Sequence, residues 1–244
     1  MAGAKLDILP DPQSVAARAA GWIAEQIAST SDVFRIALSG GSTPRLLYQA
    51  LASPEYREHI EWRRVELFWG DERFVPHSDE RSNYRMVRET LLAHAPVLID
   101  HVHPIPAEGN PEDAAQRYEA TLKSIYGADV LVPSRPLFHL VLLGLGEDGH
   151  TASLFPNDAV LKERAHWVAA VENRAEPRIT LTCPAIRSSS AVAFLVVGGE
   201  KAEIVRRVQA GDPSLPAARV RSEGEIVWFL DKAAASQLPS HDAA

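Results

Sequence analysis

The chain has 244 residues, of which 46% are apolar and 23% charged, as expected of a globular protein with a sizeable core. Its formal net charge of −7 disfavours nucleic acid as a main partner, because a phosphate backbone requires a basic face. No apolar run approaches the roughly 20 residues that span a bilayer and no secretory signal is visible, so with a single cysteine we expect a cytoplasmic protein without a membrane partner.

Helical and strand patterns alternate along the chain, with proline, glycine and capping residues between them. In the first half of the chain we predict a helix opening at Asp11–Pro12, a strand over Phe34–Leu38, a helix from Pro44 and a strand over Val65–Trp69. Helices from about Asn83 and from Asn110–Pro111 follow, and then strands over Phe138–Leu143, Arg178–Thr182 and Ala191–Val197. The last predicted elements are a helix from Gly199 to near Gly211 and a strand over Glu225–Leu230.

Strands that are apolar throughout and separated by helices indicate an α/β fold. We predict one domain over residues 1–244, doubly wound, with a mostly parallel sheet and helices on both faces. We allow for a small subdomain around residues 95–135. Ligands of such folds bind at the carboxyl ends of the strands, so functional residues are expected there.

A glycine-serine turn, LSGGSTP (Leu38–Pro44), lies between a predicted strand and a predicted helix. Gly40 and Gly41 let a ligand approach the main chain, while Ser42 or Thr43 can cap the helix and the proline that follows suits its first position. Free amides and the positive end of the helix favour an anion site, with an ordinary strand–helix turn as the alternative. Neither a dinucleotide fingerprint nor a P-loop spacing is present.

Three adjacent charged residues, Asp71, Glu72 and Arg73, follow the strand that ends at Trp69. Charges at the end of an apolar strand are costly to bury without a purpose, so a functional role is favoured over a solvated loop with local ion pairs. The segment Ser82–Tyr84 is typical of a helix start, and we expect it to serve as a structural cap.

The segment LGLGEDGHTASLFP (Leu143–Pro156) contains the strongest signal for catalysis. Its glycines predict a bent loop directly after a strand. Asp148 and His150 lie two residues apart, so the carboxylate can orient the imidazole and fix its tautomer. An imidazole held in this way can take a proton from water, and a purely structural loop histidine is the alternative.

Two later cations are further candidates. Lys201 follows a predicted strand and therefore lies at the same level of the sheet as the other motifs, whereas a surface lysine is the alternative. Arg178 begins its strand, so topology alone favours it less. His101 and His103 lack a third metal ligand at a suitable spacing, and we expect no metal site.

Together these segments resemble the 6-phosphogluconolactonase family. The resemblance rests on LSGGSTP, FWGDERFVP with SNY, LGLGEDGHTASLFP, RITLT and GGEK, which occur in the family's order. It implies a fold shared with glucosamine-6-phosphate deaminase and related to ribose-5-phosphate isomerase. It also implies the substrate 6-phospho-D-glucono-1,5-lactone, a role in the oxidative pentose phosphate pathway, and no metal or organic cofactor.

By the same resemblance His150 matches the general base and Arg73 an active-site arginine. Arg178, Lys201 and the turn residues match positions around the phosphate and hydroxyls of the substrate; these turn residues are Ser39, Gly40, Gly41, Ser42 and Thr43. A lactone is an activated ester, so no covalent nucleophile is required. His150 oriented by Asp148 can deprotonate water, and Arg73 or loop amides can stabilise the oxyanion.

Two other functions remain open at this point. A deaminase or isomerase of the same superfamily needs a base on a substrate carbon, and deaminases favour a tyrosine where this chain has Arg73 and a different segment after Gly149-His150. A sugar-phosphate sensor is not an enzyme and needs a DNA-reading module. Only about 30 residues precede the first predicted strand, and they fit one helix.

Overall fold

The computed structural model describes residues 4–239, and a seven-stranded parallel sheet forms their centre. In order across the sheet the strands are β1 (Lys5–Leu9), β10 (Glu225–Asp231), β9 (Ser189–Val196), β6 (Phe138–Leu143), β2 (Phe34–Leu38), β3 (Val65–Trp69) and β5 (Val102–His103). A second, antiparallel sheet has the order β4 (Asp71–Arg73), β8 (Arg178–Leu181) and β7 (Val168–Val171). The mostly parallel α/β fold is confirmed.

Helices connect most of the strands. The α-helices are α1 (Pro12–Ser29), α2 (Ser42–Leu51), α3 (Pro54–Arg57), α4 (Asn83–Val87), α5 (Pro111–Tyr126), α6 (Cys183–Arg187), α7 (Ala202–Gln209) and α8 (Pro216–Arg219). Short 3₁₀ segments add single turns, and a π-helical turn over Arg88–Leu92 extends α4. Within residues 4–239, no helix combines the length and apolarity needed to cross a membrane.

Helix α1 shows why the capping pattern predicts its start. The Asp11 carboxylate accepts a hydrogen bond from the Ser14 backbone N–H at 2.8 Å, and Pro12 occupies the first turn. Apolar residues that recur at helical spacing, among them Val15, Ala19 and Ile23, are buried. The helix therefore begins where the sequence places it and packs one apolar face on the sheet.

The core covers both faces of the central sheet. Successive residues of a strand point to opposite faces, and all five residues of β3 are buried, as are Leu140–Leu143 of β6. Phe194 of β9 and Trp228 of β10 stack with ring centroids 3.9 Å apart. Burial on both sides explains why these strands are mostly apolar, with single polar residues such as Glu66 and His139 among them.

Several elements differ from the prediction. The first strand is β1, so the residues before Phe34 form a strand and a helix instead of one helix. The Arg178–Leu181 strand belongs to the antiparallel sheet and not to the parallel one. Helix α2 begins at Ser42, two residues before the predicted Pro44, and the predicted helix from Gly199 starts as a 3₁₀ turn before α7.

The strand order locates the topological switch point of the sheet. From β2 the chain moves outward to β3 and β5, whereas from β6 it moves in the opposite direction to β9 and β10. Strands β2 and β6 are neighbours, so a crevice is expected outside their carboxyl ends. The LSGGSTP turn follows β2 and the GEDGH loop follows β6, which places both motifs at this crevice.

Candidate active site

A pocket of about 350 Å³ lies at the carboxyl edge of the parallel sheet. Four adjacent strands, β9, β6, β2 and β3, lead into its walls. The residues predicted for the site that line it are Ser39, Gly40, Gly41, Ser42, Thr43, Arg73, His150, Arg178 and Lys201. Asp148 does not line the pocket and contacts it through His150.

The turn after β2 presents the N-terminus of α2 to the pocket. Gly41 has a φ of 108°, which a side chain would strain, and it precedes the first helical residue. Neither Ser42 nor Thr43 caps the helix through its side chain, which corrects that part of the prediction. Their backbone amides lie in the first turn, where no intrahelical acceptor exists, so they are available to an anion.

A buried tyrosine fixes the position of this turn. The Tyr48 hydroxyl of α2 accepts a hydrogen bond from the Ser39 N–H at 3.0 Å and donates one to the Ser39 carbonyl at 2.7 Å. Burial raises the pKa of Tyr48 far above its ordinary value, so the hydroxyl stays neutral. Tyr118 of α5 makes the same pair of bonds to Trp69 at the end of β3, at 2.8 and 3.1 Å.

Glu72 joins the segment FWGDERFVP to the segment Ser82–Tyr84 through hydrogen bonds. Its carboxylate accepts hydrogen bonds from the backbone N–H of Arg73, Asn83 and Tyr84 at 2.8, 2.7 and 2.7 Å, and from the Ser82 hydroxyl at 3.0 Å. Burial raises the pKa of Glu72, and these four hydrogen bonds limit the rise. Glu72 thereby holds the start of α4 against the strand that carries Arg73.

Arg73 and Arg178 face each other across β4 and β8. Arg73 donates from Nη1 to the Arg81 carbonyl at 2.6 Å, but the Nε of each arginine is buried without a hydrogen-bond partner among residues 4–239. Burial lowers the pKa of Arg178; Asp71 opposes this effect and Arg73 adds to it. Like charges placed opposite each other repel, so this pair suits an anionic group between them.

The imidazole of His150 is held from its Nδ1 side. Asp148 Oδ1 accepts hydrogen bonds from His150 Nδ1 at 2.5 Å and from the His150 backbone N–H at 3.0 Å. Partial burial acts to raise the pKa of Asp148, but the hydrogen bonds from His150 outweigh it and hold the pKa below its ordinary value. The carboxylate therefore favours the tautomer with the proton on Nδ1, which leaves Nε2 as an acceptor.

Two neighbours restrict the His150 ring further. A Cβ atom on Gly146 would lie 2.0 Å from His150 Nδ1, so only glycine lets the ring lie against the loop backbone. The ring centroid of Phe155 lies 4.6 Å from that of His150. These contacts explain why the loop combines glycines with the apolar end of the HTASLFP segment.

A buried polar link joins the histidine loop to the arginine strand. Ser153 donates from Oγ to Asp71 Oδ2 at 2.7 Å, and its backbone N–H bonds to Thr180 Oγ1 at 3.2 Å. Asn83 donates from Nδ2 to the Asp71 carbonyl at 2.9 Å. Both Asp71 and Asn83 also line the pocket. Asp71 thus connects its own segment, FWGDERFVP, with the segment Ser82–Tyr84 and with the histidine loop.

Lys201 enters the pocket from the end of β9. It closes the 3₁₀ turn Gly199–Lys201, and Glu200 lines the pocket beside it. The Gly198 N–H before this turn donates to both Asp231 oxygens at 3.1 Å, which anchors the turn to β10. Lys201 forms no ion pair with any other residue between 4 and 239, so its ammonium group is available to a ligand.

No group of three or more His, Cys, Asp or Glu side chains within residues 4–239 is arranged to hold a metal ion. Of the two histidines considered in the sequence, His103 bonds through Nε2 to Glu66 Oε1 at 3.0 Å. Its ring also stacks on Phe68 with centroids 4.8 Å apart. Both contacts give His103 a place in the packing of the sheet edge.

Asp71 and Asn83 line the pocket but were not predicted as ligand contacts. Asp71 was recognised only as part of a charged run, and Asn83 only as part of a helix start. The helix-start prediction is confirmed, because Ser82 Oγ accepts from the Arg85 N–H at 3.1 Å. The position of Asp71 directly after an apolar strand is the signal that predicts its place in the pocket.

The family model, a curated relative and a solved structure that are similar to this chain all belong to one protein family. Residues 10–228 match the family model described as glucosamine-6-phosphate isomerases/6-phosphogluconolactonase. A 6-phosphogluconolactonase of Nostoc sp. is 34% identical over 241 residues, which cover 96% of this chain and 98% of that protein. The structure of a 6-phosphogluconolactonase from Trypanosoma brucei superposes with a TM-score of 0.82 at 33% identity, covering 97% of this chain and 99% of that one.

A monomeric glucosamine-6-phosphate deaminase of the NagB superfamily shares the fold, with a TM-score of 0.79 over 96% of this chain and 99% of that one. Its identity to this chain is 21%, so it bears on the architecture alone. The fold shared with the deaminases, which the resemblance implies, is confirmed.

Proposed function

The chain belongs to the glucosamine-6-phosphate isomerase/6-phosphogluconolactonase family, and we propose that it hydrolyses 6-phospho-D-glucono-1,5-lactone to 6-phospho-D-gluconate. This reaction is a step of the oxidative pentose phosphate pathway. One observation carries the proposal: an oriented imidazole, His150, lines the same pocket as a helix N-terminus and two arginines whose Nε atoms have no hydrogen-bond partner among residues 4–239. A lactone that bears a phosphate requires these three elements together.

His150 is the proposed general base. Its Nε2 accepts a proton from water while Asp148 stabilises the positive charge that develops on the ring. The resulting hydroxide attacks the lactone carbonyl, and Arg73 is the proposed stabiliser of the tetrahedral oxyanion. The protonated ring then returns the proton to the departing ring oxygen. No covalent intermediate is required, because a lactone is an activated ester.

The phosphate binds, in this proposal, at the Gly40–Thr43 turn with Arg178 and Lys201. The amides in the first turn of α2 and two cations supply charge-assisted hydrogen bonds. Binding energy from the phosphate positions the ring against His150, so an unphosphorylated lactone reacts less efficiently. Replacing Gly41 with Val strains the turn and is expected to weaken this binding.

Purified protein and freshly prepared lactone test the function. Acid release is followed at constant pH, with spontaneous hydrolysis subtracted, for the phosphorylated lactone and for unphosphorylated gluconolactone. Glucosamine 6-phosphate is incubated in parallel with an ammonia assay. Hydrolysis that strongly prefers the phosphorylated lactone is expected. Ammonia release without lactonase activity would replace the proposal with deamination, and equal rates on both lactones would overturn the phosphate site.

We further propose that the chain works as a single cytoplasmic domain whose partner is this small substrate, with no cofactor, nucleic acid or membrane partner. The net charge of −7 and the one cysteine, Cys183, support this proposal. Cell fractionation tests the location. Activity that survives exhaustive treatment with EDTA is expected, and activity restored only by added metal would contradict the proposal.

A further inference from the structure

A second groove of about 350 Å³ lies away from the active site and shares no lining residue with it. Its floor is mostly apolar and includes Leu131, Leu154, Ile186 and Val220. Four arginines also line it: Arg164, Arg187, Arg219 and Arg221. The volume lies within the range of small-molecule sites, which combine apolar walls with a few placed polar groups.

The arginines around this groove lack acidic partners. Among residues 4–239 none of the four forms an ion pair, although the chain is acidic overall. Arg164, Arg219 and Arg221 donate to backbone carbonyls, for example from Arg219 Nε to the Pro213 carbonyl at 2.6 Å. Glu223 is the acidic side chain of the lining, and it accepts from the Ser134 N–H at 3.2 Å.

Two of the four arginines act on the same residue of the lining, Cys183. Cys183 lines the groove and is partly exposed. Burial raises the pKa of its thiol, while Arg164 and Arg219 act in the opposite direction. Two guanidinium groups therefore act on one point of the apolar wall, and a cleft with walls of low dielectric constant concentrates such a field.

We propose that this groove binds a small amphipathic anion, an apolar body that bears a carboxylate, sulfonate or phosphate. The apolar body fills the floor, and burial of its surface supplies most of the affinity. The guanidinium groups bind the anionic head, for which their planar, forked geometry is suited. The proposal is independent of the lactonase reaction, because no residue of that site is involved.

The fluorescent probe 8-anilinonaphthalene-1-sulfonate tests the proposal, with the uncharged N-phenyl-1-naphthylamine as its matched control. We expect the sulfonate to bind at least about tenfold more tightly than the uncharged compound, and the double variant Arg187→Gln/Arg219→Gln to lose about tenfold in affinity for it. Arg206→Gln, whose arginine pairs with Glu203 elsewhere on the surface, leaves binding unchanged. Equal binding of the two compounds, or an unaltered double variant, overturns the proposal.

Cys183 localises the probe, because it is the one cysteine of the chain. N-Ethylmaleimide, an uncharged reagent, is added with and without probe at a concentration near its wild-type Kd, and alkylation is followed by intact mass. The probe is expected to slow alkylation clearly in the wild type and only slightly in the double variant. Near-UV circular dichroism checks that the variants are folded. Alkylation that proceeds at the same rate with probe bound places the probe elsewhere and refutes the site.

Discussion

His150 and Asp148 have different proposed roles, so substitutions of the two residues are expected to lower kcat by different amounts. His150→Asn removes the proton acceptor and is expected to lower kcat about 10²–10⁴-fold, the usual contribution of a general base. Asp148→Asn keeps an oxygen that can accept from both His150 N–H groups, so the ring stays oriented. It removes only the negative charge that stabilises the protonated ring.

The expected loss of kcat in Asp148→Asn follows from the hydrogen bond between Asp148 and the His150 ring. A hydrogen bond to a charged partner contributes about 1.5–3 kcal/mol and a neutral one about 0.5–1.5 kcal/mol, a difference of about 1 kcal/mol or slightly more. The Asp148 side chain is 50% exposed, so solvent screening favours the lower end of that range. About 1 kcal/mol corresponds to about a fivefold loss in kcat.

The assay follows acid release from the phosphorylated lactone at constant pH, with the spontaneous rate subtracted. Binding of 6-phosphogluconate, measured by calorimetry, shows that each variant is folded. Nearly full activity in folded His150→Asn, or a loss in Asp148→Asn as large as in His150→Asn, refutes the reasoning.

Three further predictions concern residues around the pair. Lys201→Ala is expected to weaken binding of 6-phosphogluconate by about 1.5–3 kcal/mol, the value of one charged hydrogen bond, and unchanged calorimetric affinity would return Lys201 to an ordinary surface role. Gly146→Ala places a methyl group on the His150 ring, so kcat falls sharply while the melting temperature changes little; normal kcat would contradict the observed contact. Tyr48→Phe leaves two buried backbone groups of Ser39 without this hydrogen-bond partner, so the free energy of unfolding is expected to fall by about 1–3 kcal/mol. This corresponds to a decrease in Tm of about 2–12 °C by calorimetry, and an unaltered Tm would show that these hydrogen bonds do not stabilise the fold.

Central strands were predictable because burial on both faces leaves mostly apolar runs, each interrupted by a single polar residue. Strands β2, β3 and β6 occur at the predicted residues. The edge strand β1 was missed, since Lys5–Leu9 is only half buried and its sequence mixes polar with apolar residues. Strand β5 has two residues, too few for any periodicity.

The site was predictable where a motif follows a strand of the parallel sheet. The Gly40–Thr43 turn, Arg73, His150 and Lys201 lie together because neighbouring strands end at one edge. Arg178 was less predictable, because it enters from the start of an antiparallel strand. The link between Ser153 and Asp71 joins residues 82 positions apart, and no local pattern indicates such a contact.

The facing arginines of β4 and β8 link the stability of the folded chain to ligand binding. Their repulsion exists only in the folded chain. In the proposed complex the negative charges of the ligand lie beside these arginines and reduce it. A ligand that binds only the folded state adds about 2.7 kcal/mol of stability at 100 times its Kd. Resistance of this protein to heat and proteases is therefore expected to rise with the concentration of its proposed sugar-phosphate ligand.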